Sequence, residues 1–171
     1  MKDRLRKAIG GTRVTPAMLI YELGRIDEFV VNGRNGILES TDYLRPVLVT
    51  GTLVFLGTAL EAMNALCELE PRYKKIRKRF LKPLEEWKNA RDDVAHYVDR
   101  AFRDRPRRDS IGSFNTAQIA VTTIDPMDND ILIQTGQLKP LLLNLALRQM
   151  ELMLAEVRSE LAQAVENDNA Q

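Results

Sequence analysis

Leu84-Glu85-Glu86-Trp87-Lys88-Asn89-Ala90-Arg91-Asp92-Asp93-Val94-Ala95-His96-Tyr97-Val98 is the stretch that decides the fold. Its apolar members Leu84, Trp87, Val94 and Val98 return to one side of a helix, and Tyr73, Ile76 and Phe80 carry the same stripe upstream. The spacing predicts a long helical pattern from Arg72 to about Phe102, kinked or divided at Pro83, which lacks the backbone donor a continuous helix needs. The Arg-, Pro- and Asp-rich run from Arg103 to Ser113 then reads as an exposed loop.

Working upstream, Thr15 is a candidate cap and Pro16 suits a first helical position, with Leu19, Leu23, Ile26 and Val30 at helical spacing. This predicts a helix from about Thr15 to Val31, ended by Asn32-Gly33-Arg34-Asn35-Gly36. A second helix is expected from the Ser40-Thr41-Asp42 cap region toward Glu70, with Pro46 in or near its first turn and Pro71 closing it. Val47, Val54, Leu60, Met63 and Leu66 are its core candidates.

Downstream, Ala117 to Ile124 is β-branched, Asp125-Pro126-Met127-Asp128-Asn129-Asp130 is rich in turn formers, and Ile131 to Gln134 is apolar again, the pattern of a short hairpin. A last helix from about Leu138 to Val165 places Leu143, Leu147, Met150, Leu154, Val157, Leu161 and Val165 on one seam, which calls for a helical neighbour inside the bundle or on a second copy. The tail after Glu166 is polar and expected to fray. The fold class is therefore mainly α: a bundle of four or more helices with a short β-hairpin inserted before the last helix, in one domain spanning 1–171.

The composition, 44% hydrophobic and 29% charged, is that of an ordinary globular chain, and the single Cys67 can neither close an internal disulfide nor anchor a zinc site alone. A reducing, cytoplasmic setting is expected. No signal-type apolar stretch follows the charged Met1 to Lys7, and the apolar run 47–60 is interrupted by Thr50, Gly51, Thr52, Gly57 and Thr58, short of the roughly 20 residues a span needs. A buried core helix, and no membrane partner, is the expectation.

The net charge of +1 hides an asymmetry: residues 72–108 hold 14 Lys or Arg against 6 Asp or Glu, leaving −7 for the remainder. Lys74, Lys75, Arg77, Lys78, Arg79 and Lys82 lead into the helix of the opening stretch, and Arg100, Arg103, Arg105, Arg107 and Arg108 follow it. Such a segment can bind phosphates with salt-sensitive affinity. It can equally be a solvated face paired with Glu85 and Glu86.

His96 is the only histidine, so imidazole acid-base chemistry near neutral pH falls to it. Arg91 lies on the apolar stripe and needs an anionic partner: an internal carboxylate such as Glu61, an acidic side chain of another copy, or a phosphate in a cleft. On a regular helix His96 stands about 140° round from Arg91, so the two converge only through a local helix break or a symmetry-related chain. Asp92, four residues before His96, shares its face and could hold one ring nitrogen; alternatively, His96 is a surface residue bonded to Asp92 or Asp93.

Arg91-Asp92 followed four residues on by His96, in a late helix of a small helical bundle, resembles the HEPN superfamily. The resemblance implies a bundle that dimerises to bring two motifs together, and metal-independent endoribonuclease activity with Arg91 and His96 as the catalytic pair supported by Asp92. It implies His96 acting as general base or acid on an RNA 2′-hydroxyl or leaving oxygen, Arg91 stabilising the phosphorane, and a 2′,3′-cyclic phosphate product. RNA, a second copy of the chain and a cognate antitoxin or regulatory protein are the partners it suggests, and a toxin or effector of prokaryotic defence or stress response is the role. The alternative is a non-catalytic dimeric module that binds RNA or protein; a third reading is a structural helical protein without nucleic-acid affinity.

No cluster of His, Cys and carboxylates has metal-ligand spacing, and no cofactor is expected. The glycines lie scattered, with no phosphate-cradling loop; Tyr97 reads as packing and Cys67 as inert core. Ser110 and Ser113 have no second histidine to activate them.

Overall fold

A computed structural model of the chain describes residues 14–40, 44–95, 121–124, 130–134 and 140–169. The described elements are α1 (Pro16–Glu39), α2 (Arg45–Leu69), a 3-10 turn (Pro71–Tyr73), α3 (Lys74–Arg79), α4 (Leu81–Ala95), β1 (Val121–Ile124), β2 (Ile131–Gln134), β3 (Leu141–Leu142) and α5 (Leu143–Asn169). The architecture is mainly helical, with a small antiparallel sheet immediately before the last helix, as the sequence predicts.

Helix α1 begins as expected: the Thr15 side chain accepts a hydrogen bond from the Met18 amide, and Pro16 occupies the first turn. It does not stop at Gly33 or Gly36 but runs on to Glu39. The reason is packing. A Cβ on Gly33 would lie 2.1 Å from Thr52 Oγ1 on α2, and one on Gly36 would touch Leu48, so these glycines let two antiparallel helices approach closely. Thr52 is fully buried and gives its hydroxyl proton to the Leu48 carbonyl at 2.8 Å, while Ile37, beyond both glycines, is buried in the core.

Helix α2 starts at Arg45 without a side-chain cap; of the expected cap region Ser40 instead closes α1, its hydroxyl donating to the Ile37 carbonyl at 3.1 Å, and Thr41 and Asp42 lie outside the described residues. Leu60, Met63 and Leu66 are buried as predicted, but Val47 is 67% exposed and Val54 half-buried; the inward face is Val49, Leu53, Leu56, Leu60, Met63 and Leu66. Because α2 is apolar all round, periodicity did not single out its core face. By length and composition alone α2 could cross a membrane. Here it packs between α1 and α4: Phe29 stacks on Phe55 with ring centroids 3.7 Å apart, and Gly57 meets Arg91.

The long pattern after Arg72 is divided at Phe80, between α3 and α4. Pro83 supplies the cause, since it can offer no amide to the Arg79 carbonyl one turn earlier. The stripe is otherwise as read: Tyr73, Ile76, Leu84, Trp87 and Val94 are buried and Phe80 is partly so. The expected continuation to Phe102, the loop 103–113, and Tyr97, Val98, Ser110 and Ser113 lie outside the described residues.

Strands β1 and β2 pair antiparallel from Val121 opposite Gln134 to Ile124 opposite Ile131; residues 117–120 and 125–129 of the predicted hairpin lie outside the described residues. Leu141 and Leu142, expected in the last helix, instead form a third strand against Ile133 and Leu132. The helix is delayed past Pro140 because its N-terminus is capped from a distance: Asp130 accepts hydrogen bonds from the Ile131 amide (2.7 Å) and the Asn144 amide (2.9 Å). An Asp130→Ala chain is expected to lose about 1 kcal/mol of stability in a urea melt, the usual cost of an N-cap; an unchanged midpoint would show that the cap contributes nothing.

Helix α5 buries Leu143, Leu147, Met150, Leu154 and Val157 and continues through Asn169, past the predicted fray at Glu166, while Val165 is exposed. Its antiparallel neighbour is α1, where Arg158 approaches Gly24 and Arg34 donates to Asn144. At this interface Asp27 has one carboxylate oxygen shielded from solvent without a hydrogen-bond partner among the described residues. Burial and the charge of Glu151 raise its pKa above 3.8, against the opposing pull of Arg158. Between 3.8 and that raised value the folded chain holds more protons than the unfolded one, so this group's contribution to stability falls as pH rises through the window. Asp27→Asn is therefore expected to melt higher than the parent at pH 7, with the difference shrinking toward pH 4; a lower melt at pH 7 would contradict this.

Candidate functional site

Arg91 projects from α4 onto α2. A Cβ added to Gly57 would lie 2.3 Å from Arg91 Cβ and 2.9 Å from Cδ, so the arginine stem crosses α2 at a point only glycine leaves open. The guanidinium emerges one turn further along α2, where Nη1 donates to Glu61 Oε1 at 2.8 Å. Nε and Nη2 both donate to Asp92 Oδ1, at 3.0 and 2.8 Å. The other oxygen of Asp92 accepts from Lys88, one turn earlier on the same helix.

The sequence left three partners open for Arg91, and within the chain Glu61 and Asp92 take the role. The arginine side chain is 15% exposed, Asp92 30% and Glu61 59%. Burial opposes the Arg91 charge, but the hydrogen bonds and charges of Asp92 and Glu61 outweigh it and hold the guanidinium protonated more firmly than usual. Burial likewise works against the Asp92 charge, and the bonds from Lys88 and Arg91 overcome it, so its carboxyl sits below the usual value. Glu61 is held at one point and mostly solvated, a kind of ion pair typically worth about 0–1 kcal/mol.

His96 follows directly on Ala95, the last described residue of α4, and lies outside the described residues, as do Arg100, Arg103, Arg105, Arg107 and Arg108. The described part of the basic run separates into two sets. Arg77 donates to Asn64 and Arg79 pairs with Glu156 at 2.7 Å, so both tie α3 to its neighbours. Lys74, Lys75, Lys78 and Lys82 are exposed and pair with no carboxylate among the described residues. Lys82 precedes Arg91 by nine residues, about 13 Å along α4 and half a turn round it, so it does not flank the guanidinium but faces away from it.

Gly57 and Lys88 are the members that sequence reasoning missed. Gly57 read there only as an interruption of an apolar run, although its position four residues before Glu61 marks one face of the helix. Among the described residues no group of three or more His, Cys, Asp or Glu could hold a metal ion. Cys67 is buried in the core, and burial pushes its thiol pKa up, against Arg77 and Lys74. Compared with known proteins, the chain matches no family model, no curated protein and no solved structure.

Proposed function

We propose that the protein is a metal-independent endoribonuclease of HEPN type, cytoplasmic, with Arg91, His96 and Asp92 as its catalytic group. The observation that supports this best is Arg91 itself: a guanidinium anchored by Asp92 and a glycine notch, its far edge met, among the described residues, by the exposed Glu61. In the proposed reaction His96 takes the proton of an RNA 2′-hydroxyl, the oxygen attacks the adjacent phosphorus in line, and the 5′-oxygen leaves and is protonated. A 2′,3′-cyclic phosphate and a 5′-hydroxyl result. Arg91 stabilises the charge on the phosphorane, and Asp92 holds Arg91. With one histidine per chain, a homodimer would supply the second imidazole for the acid step. The exposed lysines of α3 and α4 would hold more distant phosphates. A toxin or effector role in prokaryotic defence or stress response, with a cognate antitoxin or regulator, follows from the resemblance alone.

A second reading has its own support. Arg91, Lys88, Asp92 and Glu61 sum to zero charge, as a purely structural cluster would. On that reading the chain is a non-catalytic dimeric module for RNA or protein. Incubating the purified protein with mixed-sequence RNA in EDTA, beside His96→Ala, separates the two. Cyclic-phosphate ends formed by the parent alone support the nuclease, and intact RNA in both across several substrates supports the module.

A further inference from the structure

We propose that Glu61 is a displaceable gate on Arg91, occupying the guanidinium edge that an RNA phosphate takes when it binds; the inference rests on the reading of Arg91 as a phosphate contact. The two carboxylates on this arginine are held differently. Asp92 is adjacent in sequence, accepts from two guanidinium nitrogens through one oxygen and is fixed through its other oxygen by Lys88. Glu61 comes from another helix, makes a single contact to Nη1 and is about twice as exposed as Asp92.

Asp92 thus holds the Nε–Nη2 side through two hydrogen bonds, while the Nη1 side is met by a single contact from an exposed side chain. The arginine cannot follow Glu61 away, because the Gly57 notch holds its stem. A phosphate offers several acceptor oxygens and can bond both terminal nitrogens, which a single-point carboxylate does not. Displacing Glu61 also converts a neutral cluster into one of charge +1, so the gate discriminates against weakly held anions and yields to a polyanion whose other phosphates are engaged by the exposed Lys74, Lys75 and Lys78 of α3.

The test measures binding of a fluorescent, mixed-sequence 2′-O-methyl RNA, which lacks the nucleophilic hydroxyl and cannot be cleaved, at constant salt. Glu61→Gln is expected to bind about three- to tenfold tighter than the parent, and Glu61→Gln with Arg91→Ala to bind no tighter than Arg91→Ala alone. The proposal is overturned by equal or weaker binding of Glu61→Gln, by a gain that persists without Arg91, or by no detectable binding of any form. Glu61→Ala, read beside a thermal melt, guards against a folding defect in the first variant. Inorganic phosphate as competitor distinguishes a polymer backbone from a lone phosphate: abolition of Glu61→Gln binding by phosphate at low millimolar concentration, under matched ionic strength, would overturn the RNA assignment. A gain through Arg91 without cleavage of unmodified RNA leaves the gate standing and removes the nuclease; cleavage without the gain does the reverse.

Discussion

A Gly57→Val chain is expected to lose about 2–3 kcal/mol of stability, the cost of forcing extra atoms into a filled contact. The added Cβ would meet Arg91 Cβ at 2.3 Å, and that atom cannot swing away because it is fixed to the α4 backbone. The two helices must therefore separate, loosening the packing of Leu84 and of Trp87, the latter only 2% exposed. For a chain of this length a loss of that size lowers the melting temperature by roughly 5–10 °C. Gly51 on the same helix is the control. A Cβ there meets nothing within 4 Å, so Gly51→Ala should be neutral or stabilise by up to about 1 kcal/mol through helix propensity. Equal melting of the two variants would mean that α2 and α4 do not meet at Gly57. Since the notch aims Arg91, the proposed nuclease reading also expects any RNA cleavage by surviving folded Gly57→Val to fall.

The second large effect is on chemistry. On the proposed nuclease reading, Arg91→Ala is expected to slow RNA cleavage about 10²–10³-fold, as removal of one donor to a developing oxyanion does, and His96→Ala about 10²–10⁴-fold, as loss of a general acid-base group does. Arg91→Lys keeps the charge but not the fork that bonds Asp92 through two nitrogens, so it should recover only part of the rate. The readout is the initial rate of cyclic-phosphate end formation in EDTA, beside a melt. In the non-catalytic module His96→Ala leaves RNA or protein binding unchanged, so the histidine variant discriminates more sharply than the arginine one, whose loss would disturb an interface as well.

Some of this was legible in residue order. The stripe of Tyr73, Ile76, Leu84, Trp87 and Val94 is buried, the Thr15–Pro16 start is used, and β-branched segments around a turn-rich stretch pair as strands. These follow from local periodicity and capping chemistry, which act within a few residues. The placement of Arg91 on a buried seam was legible for the same reason, and Glu61 stood among its candidate partners.

Features that depend on what lies opposite were not legible. Gly33 and Gly36 look like a helix end in isolation, but facing Thr52 and Leu48 they are points of close approach, and the helix runs through them. Val47 and Val49 are chemically alike, yet only Val49 turns inward, because α2 is apolar on every side and its neighbours choose the face. Leu141 and Leu142 fit a helix pattern until β2 offers them backbone partners and Asp130 caps the chain two residues later. Sequence alone determined the helical class, the buried stripe and the residue types at the site. Only tertiary structure decided that Gly57 admits Arg91 and that Glu61 reaches its guanidinium beside Asp92, because ion pairs between helices and close approaches are set by distances between elements that no spacing along one chain encodes.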